Sequence, residues 1–256
     1  MRKFAGYIFD LDGTVYRGGR LIPGADGVLR KLRERGAGIV FLSNNPTRSR
    51  EQYVAKLGAL GIPARLEDIV NSSSVLIAEL QREAPDARLY VVGEACLQAE
   101  LRQAGFKLAE DPAETDLVVL SFDRTFHYGK LFFAHLAVKR GARLWATNPD
   151  RTCPTEEGDT PDCGAIIAAV ETCTGRKVER IAGKPFPAIL NVAARRLNLP
   201  LSACLLVGDR LETDILMARN AGCPSALVLT GVTSREMLND SRIQPDYVLG
   251  SIAEVD

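Results

Sequence analysis

The sequence lacks long apolar runs, an excess of either charge sign and any close pairing of cysteines. Lysine plus arginine and aspartate plus glutamate each number 32, so the net charge is zero, which argues against a nucleic acid polymer as the main partner. No apolar run approaches the length needed to cross a bilayer, and we expect no membrane partner. Residues 1–4 lead into a predicted strand without a signal-peptide core, so we expect a cytoplasmic protein.

Zinc is disfavoured by the cysteine and histidine content. The six cysteines lie far apart, none forms a CxxC pair, and the chain has two histidines. We therefore expect reduced thiols in or near the core. With 256 residues, of which 46% are hydrophobic, the chain is long enough for one large domain or for a core domain with a smaller inserted one.

Buried-type strands alternate with helical patterns, which predicts an α/β fold with a doubly wound parallel sheet. The clearest strands are 7–10, 38–42 and 204–209. The alternation begins again near residue 88, so we predict a core domain of residues 1–79 and 179–256 and a smaller α/β domain of residues 80–178. Residues 149–161 are polar and show no periodicity, and we expect a long functional or disordered loop there.

Three predicted strands end in polar clusters. Asp10 and Asp12 follow the first strand, Ser43 and its neighbours follow the second, and Asp209 follows a later one with Asp214 five residues on. In open α/β sheets ligands bind outside the carboxyl ends of the strands, so these clusters are expected to meet in one crevice. Each cluster alone is a weak signal, because an acid after a strand is often a helix cap or a turn former.

Charge counting at this crevice indicates a cation. The four aspartates bring four negative charges, and Lys184 at its own turn brings one positive charge. An anionic substrate then requires a further cation. Carboxylate oxygens with a main-chain carbonyl suit Mg²⁺, which also bridges substrate phosphates, whereas zinc would need histidine or cysteine.

The ordered motifs resemble those of the haloacid dehalogenase-like (HAD) superfamily. They are DLDGT at 10–14, Ser43 after an apolar strand, Lys184 in a GKP turn, and GDRLETD at 208–214. The long segment between Ser43 and Lys184, with the stretches at 43–45 and 147–150, is similar to the NagD-type and p-nitrophenyl phosphatase-type branch. That branch implies a Rossmann-like core with an α/β cap domain inserted between the second and third motifs.

The resemblance implies a magnesium-dependent phosphatase acting on a small phosphomonoester, such as a nucleotide or sugar phosphate, through an aspartyl-phosphate. Asp10 is the implied nucleophile and Asp12 the acid and base, while Lys184 neutralises Asp10 and the phosphate. The implied metal ligands are Asp10, Asp209 and the main-chain carbonyl of Asp12. Asp214 is implied to support these ligands without binding the metal itself. The implied substrate-binding residues are Ser43, Asn44, Asn45, Asn148 and Asp150.

Alternatives remain open at this point. An acid at position 12 fits a phosphomutase as well as a phosphatase, and a catalytically silent phosphate-ligand sensor could use the same fold. Relatives usually carry a Pro-Gly pair after the 147–150 stretch, whereas this chain has Pro161-Asp162-Cys163-Gly164, which affects the expected specificity. Cap-mediated dimers occur in such families, so a homodimer is compatible with the resemblance, although no residue decides it.

Overall fold

The computed structural model describes residues 2–155 and 158–256, in which strands alternate with helices. The elements before residue 84 are β1 (Gly6–Asp10), β2 (Tyr16–Arg17), β3 (Arg20–Leu21), α1 (Ala25–Glu34), β4 (Gly38–Ser43), α2 (Arg50–Ala59), β5 (Ile69–Asn71) and α3 (Ser72–Glu83). The next are β6 (Arg88–Val92), α4 (Ala95–Gln103), β7 (Lys107–Leu108), β8 (Leu117–Leu120), α5 (Tyr128–Lys139), β9 (Arg143–Ala146), β10 (Thr152–Thr155), β11 (Gly158–Pro161), α6 (Cys163–Thr174) and β12 (Arg180–Ile181). The last are α7 (Pro187–Leu197), β13 (Cys204–Gly208), a π-helical segment (Leu211–Ile215), α8 (Leu216–Ala221), β14 (Ser225–Val228), α9 (Arg235–Asp240) and β15 (Tyr247–Leu249).

The chain divides into two compact units. The first unit comprises Met1–Ser43, Arg50–Val70 and Lys184–Asp256, and the second comprises Asn44–Ser49 and Asn71–Gly183. This division differs from the predicted boundaries because α3 continues through residue 79 and because β12 pairs with β9. The predicted domain assignment, 1–79 with 179–256 and 80–178, therefore stays a prediction.

The first unit contains a six-stranded sheet in the order β15-β14-β13-β1-β4-β5. Strand β1 pairs in parallel with β4 on one side and with β13 on the other, and β14 and β15 extend the sheet in parallel. Its five residues are all buried, as expected of a central strand covered on both faces. The strand order reverses at β1, which is the position where doubly wound sheets bind ligands. The predicted fold class is confirmed.

The second unit contains a five-stranded sheet in the order β12-β9-β8-β6-β7, with its pairs parallel. Val118, Leu120 and Leu144 belong to its apolar core, and Trp145 on β9 is fully buried. The chain thus forms two separate parallel sheets. This agrees with the predicted restart of the alternating strands and helices near residue 88.

The loop expected at residues 149–161 was wrong, because β10 and β11 form an antiparallel hairpin there. The side chains of β11 are exposed or half-buried, so the strand carries no alternation of apolar and polar residues that a sequence pattern could reveal. Residues 156 and 157, at the centre of the expected loop, lie outside the described residues.

Two composition-based expectations can be compared with the structure. All six cysteines are free, and Cys163, Cys204 and Cys223 are buried as expected, whereas Cys173 is exposed. Within the described residues, no helix has both the length and the apolar character required to span a membrane.

Trp145 provides a test of the second unit's core. We expect Trp145→Ala to lower the free energy of unfolding by about 3–5 kcal/mol, since a fully buried large side chain is replaced by a cavity. Phe132→Ala is the matched control, because Phe132 lies on α5 in the same unit and is 51% exposed, so its loss should be below about 0.5 kcal/mol. Urea unfolding followed by circular dichroism measures both, and equal losses would contradict the assignment of Trp145 to the core.

Candidate active site

The candidate site lies at the carboxyl ends of three neighbouring strands in the first unit. In the β1–β4 register Asp10 stands opposite Leu42, so Ser43 is one residue further along β4. In the β1–β13 register Phe9 stands opposite Val207, so Asp209 begins the segment just beyond the end of β13. The parallel register therefore brings three of the predicted residues to one edge of the sheet.

Lys184 is the centre of the site's charge arrangement. Its ammonium group lies 2.5 Å from Asp10 Oδ1 and 2.7 Å from Asp214 Oδ1. Lys184 is 4% exposed and Asp214 is fully buried, so solvent screens this three-membered group very little. Asp214 Oδ2 also accepts a hydrogen bond from the Arg210 amide at 3.2 Å. The lysine is thus fixed between a carboxylate at the sheet edge and one on the π-helical segment.

Asp209 is held by backbone groups. The Val232 amide donates to Asp209 Oδ2 at 2.7 Å. Gly231 and Gly13 pack directly on the same carboxylate, and a Cβ atom added to them would lie 1.8 Å and 2.5 Å from Asp209 Oδ2. Gly13 also has a φ of +90°, a conformation that favours glycine. Two glycines therefore allow the backbone to approach the carboxylate closely.

Asp12 lies half-buried in the turn that follows β1. Its backbone forms a bridge to Tyr16, and the Val15 and Tyr16 amides donate to Leu11 O at 2.9 and 3.2 Å. Since Gly13 contacts Asp209, this turn places the residue after Asp12 against the second acidic segment. Asp10, Asp12 and Asp209 thus belong to contiguous parts of the first unit.

The pKa values of the site reflect burial and mutual repulsion. Burial raises the pKa of Asp10 well above its usual value; the Lys184 charge opposes this, and Asp214 and Asp209 add to it. Burial, followed by the charge of Asp214, raises the pKa of Asp209 to about 6. Burial pulls the pKa of Lys184 down, but the charges of Asp10 and Asp214 outweigh it and raise the pKa above its usual value. The positive charge near Asp10 and Asp209 is therefore too small to offset their burial and mutual repulsion, and Lys184 stays protonated.

The donor set fits a hard divalent cation. Among the described residues, Asp10, Asp209 and Asp214 each offer a carboxylate oxygen within 4.8 Å of the others. Lys184 occupies one oxygen of Asp10 and one of Asp214, and the Val232 amide donates to one oxygen of Asp209. Three buried carboxylates beside a single ammonium group suit an oxygen-preferring ion such as Mg²⁺.

Ser43 has a partner that the sequence did not reveal. The hydroxyl groups of Ser43 and Tyr53 lie 2.8 Å apart, and both residues are buried. In the sequence Tyr53 stands at an apolar position of α2. The available signal was its chemistry, because a buried tyrosine hydroxyl usually finds a hydrogen-bond partner.

The remaining predicted residues lie in the second unit. Asn44 Nδ2 donates to Asp150 Oδ2 at 2.8 Å, and Asn148 Nδ2 donates to the same oxygen at 2.9 Å. Asn45 instead accepts from the Thr47 amide and hydroxyl, and its Nδ2 lies 3.9 Å from Cys153 Sγ. The structure thus brings Asn44, Asn148 and Asp150 together, while Asn45 caps a local turn.

The parallel sheet with acids and a buried lysine at its switch point defines an α/β enzyme of the phosphoryl-transfer type. The sequence matches the haloacid dehalogenase-like hydrolase family over residues 7–107 and the HAD-hydrolase-like family over residues 181–255. The chain belongs to the HAD-like hydrolase family, which confirms the predicted family.

Relatives of known name cover nearly the whole chain. It is 42% identical to Sugar-phosphatase AraL of Bacillus subtilis (strain 168) over 98% of this chain and 92% of that one. The solved 4-nitrophenylphosphatase of Thermotoga maritima matches with a TM-score of 0.93 at 35% identity, covering 98% of this chain and 95% of that chain. NagD from E. coli K-12 matches with a TM-score of 0.89 at 30% identity, covering 100% of this chain and 99% of that chain. The predicted enzyme class, a HAD-type phosphatase of the NagD and p-nitrophenyl phosphatase branch, is confirmed.

Tyr53 gives a test of the Ser43 contact. We expect Tyr53→Phe to lower kcat/KM roughly three- to tenfold, the equivalent of one hydrogen bond between neutral groups. Tyr7→Phe is the matched control, because Tyr7 is also buried in the first unit and its hydroxyl donates to Asp256 O at 3.1 Å. Steady-state kinetics with p-nitrophenyl phosphate should show a loss for Tyr53→Phe alone, and equal activity in both variants would contradict a role in the site.

Proposed function

We propose that the chain hydrolyses small phosphomonoesters through an aspartyl-phosphate formed on Asp10. The observation that carries this proposal is the buried Asp10 carboxylate, whose Oδ1 is bound by Lys184 while no described residue donates to its Oδ2. One carboxylate oxygen is therefore held by a cation, and the other is available to attack phosphorus.

In the first step, Asp10 Oδ2 attacks phosphorus in line, and the bond from phosphorus to the ester oxygen breaks. Asp12, half-buried in the next turn, gives a proton to the leaving oxygen. Asp12 then takes a proton from water, which attacks the same phosphorus, and phosphate and a free Asp10 carboxylate result. One residue thus serves as acid and then as base.

Ser43 and Lys184 bind the transferring phosphoryl group in this proposal. Ser43 presents its hydroxyl at the end of β4, held by Tyr53, and the amide of Asn44 follows directly in the chain. Lys184 balances the charge of Asp10 and of the phosphoryl oxygens, since its ammonium stays protonated between two carboxylates. Catalysis then depends mainly on positioning and charge stabilisation, as is general for phosphoryl transfer.

The residues that would hold Mg²⁺ are Asp10, Asp209 and the main-chain carbonyl of Asp12. Asp214 is bound to Lys184 and would support this set without binding the ion. When bound, the ion supplies positive charge to the phosphoryl oxygens and to the acids. The raised pKa of Asp209, caused first by burial and then by Asp214, supports a site that lacks positive charge.

The proposed substrate class is sugar phosphates. Support comes from the relative named Sugar-phosphatase AraL, which is 42% identical over 98% of this chain. Nucleotides are the other class compatible with the sequence. A panel of phosphorylated sugars and nucleotides, assayed by phosphate release, ranks the two by kcat/KM, and a preference for nucleotides would overturn the sugar phosphate assignment.

Asp10→Asn tests the nucleophile. The amide retains the volume of the carboxylate but is too weak a nucleophile to attack phosphorus, so we expect no measurable release of p-nitrophenol from p-nitrophenyl phosphate. Asp26→Asn, on the exposed face of α1, is the charge control and should keep wild-type activity. Thermal unfolding verifies that both variants fold, and turnover by folded Asp10→Asn would rule out the proposed mechanism.

Magnesium binding is testable without turnover. Adding MgCl₂ at 100 times its Kd to protein stripped with EDTA should stabilise the fold by about 2.7 kcal/mol and raise Tm. Asp209→Asn should lose most of this Tm shift, because one of the proposed ligands becomes a neutral amide, whereas Asp26→Asn should retain it. An equal magnesium-induced shift in all three proteins would exclude Asp209 as a ligand.

A further inference from the structure

The stretch at 147–150, which contains the implied substrate-binding residues Asn148 and Asp150, is hydrogen-bonded to other protein groups in the structure. Asn148 is fully buried, and its amide nitrogen donates to Asp150 Oδ2 at 2.9 Å and to Asp162 Oδ1 at 3.1 Å. Its amide oxygen accepts from the Thr147 hydroxyl at 2.7 Å. Both amide hydrogens and the amide oxygen are thus engaged by protein groups, which argues against contact with a substrate.

Asp162 is the residue at which the sequence departs from the Pro-Gly pair of the resemblance. It is 4% exposed, and its Oδ1 accepts from Asn148 and also from the Cys163 amide at the start of α6. The departure therefore introduces a carboxylate that caps α6 and holds Asn148 in one orientation. Asn148 in turn presents its second hydrogen to Asp150.

Asp150 connects Asn148 to Asn44 through hydrogen bonds. A single oxygen, Asp150 Oδ2, accepts from both Asn148 and Asn44, the latter at 2.8 Å. The other side of Asn44 is fixed too, because its carbonyl accepts from the Ser72 hydroxyl at 2.7 Å. The backbone of Gly183 also packs on Asn44, and a Cβ added there would lie 2.5 Å from Asn44 Oδ1.

Asn44 and Gly183 are the chain neighbours of two proposed catalytic residues. Asn44 follows Ser43, and Gly183 precedes Lys184, while the Gly183 amide donates to Thr147 O at 2.8 Å. The 147–150 stretch is thus bonded to both connecting segments that lead to the phosphoryl-binding residues.

We propose that Asp150, held by Asn148 and Asp162, is a positioning residue that fixes Asn44 and thereby the Ser43–Asn44 peptide, instead of contacting the substrate. This inference rests on the proposed function, because it assigns a task to residues next to Ser43. Asp150 acts through a hydrogen-bond acceptor, so the acceptor matters and its negative charge does not.

The test compares Asp150→Ala with Asp150→Asn. The alanine removes the acceptor and should lower kcat/KM about tenfold, since small misplacements of binding groups have costs of this order or larger. The asparagine retains one oxygen that can accept from both amides, and its kcat/KM should stay within about threefold of wild type. Asp159→Ala and Asp159→Asn, at an exposed position of β11 in the same unit, are the matched controls and should leave kcat/KM unchanged.

Each variant is assayed with p-nitrophenyl phosphate and with a sugar phosphate, and its Tm is recorded. Positioning of the phosphoryl-binding segment predicts the same fractional loss for both substrates. Three results would each overturn the proposal. One is a loss of kcat/KM that differs strongly between the two substrates. The others are an Asp150→Asn variant as impaired as Asp150→Ala, and an Asp150→Ala variant with wild-type kcat/KM. Wild-type turnover in the same assay separates these results from a failure of the proposed function.

An exchange of the two partners provides a second test that does not rely on alanine. Asn44→Asp places two carboxylates against each other and should lower kcat/KM about tenfold or more. Adding Asp150→Asn removes the repulsion between the two carboxylates, but one atom at position 150 cannot both accept from Asn148 and donate to position 44, so the double variant should recover part of the loss. A double variant no better than Asn44→Asp would show that the hydrogen bond between these residues does not position the site.

Discussion

The site depends on one buried ammonium group. Lys184 lies 2.5 Å from Asp10 and 2.7 Å from Asp214, and the three residues are almost completely shielded from water. Removing one partner of such a buried group typically costs about 3–5 kcal/mol, because the remaining charges lose their compensation. The same contact holds Asp10 Oδ1, while none of the residues that the structure describes donates to Oδ2. Structural stability and the proposed nucleophile therefore rest on the same ion pairs.

The arrangement of the sheet explains why these residues meet. Strand β1 is central, the strand order reverses at it, and its parallel neighbours β4 and β13 end at the same edge. This much was predictable, because each strand is an apolar run that stops at an acid or a serine. The pairing of Lys184 with Asp10, but not with Asp214, also followed from the family resemblance. Its geometry did not, because the length of a turn does not fix where a lysine side chain ends.

Other features could not be read from the sequence for definite physical reasons. Tyr53 occupies an apolar position of an amphipathic helix, and only its hydroxyl, 2.8 Å from that of Ser43, distinguishes it from a core residue. Strand β11 of the hairpin is exposed or half-buried along its length, so it carries no pattern of period two. The hydrogen-bond partners of Asn148 and Asp150 were also hidden, because the sequence gives the identity of these residues but not the amide and carboxylate groups that contact them, 14 residues or more than 100 residues away along the chain.

The central claim is that Asp10 is phosphorylated during turnover. Rapid quenching during steady-state hydrolysis, followed by borohydride reduction, converts an aspartyl-phosphate to homoserine, which mass spectrometry locates in a peptide. Trypsin releases residues 4–17, which contain both Asp10 and Asp12, and fragmentation of this peptide distinguishes the two positions. The account predicts reduction at Asp10, dependent on substrate. Reduction at Asp12, or an unmodified peptide while another residue carries the phosphoryl group, would contradict it.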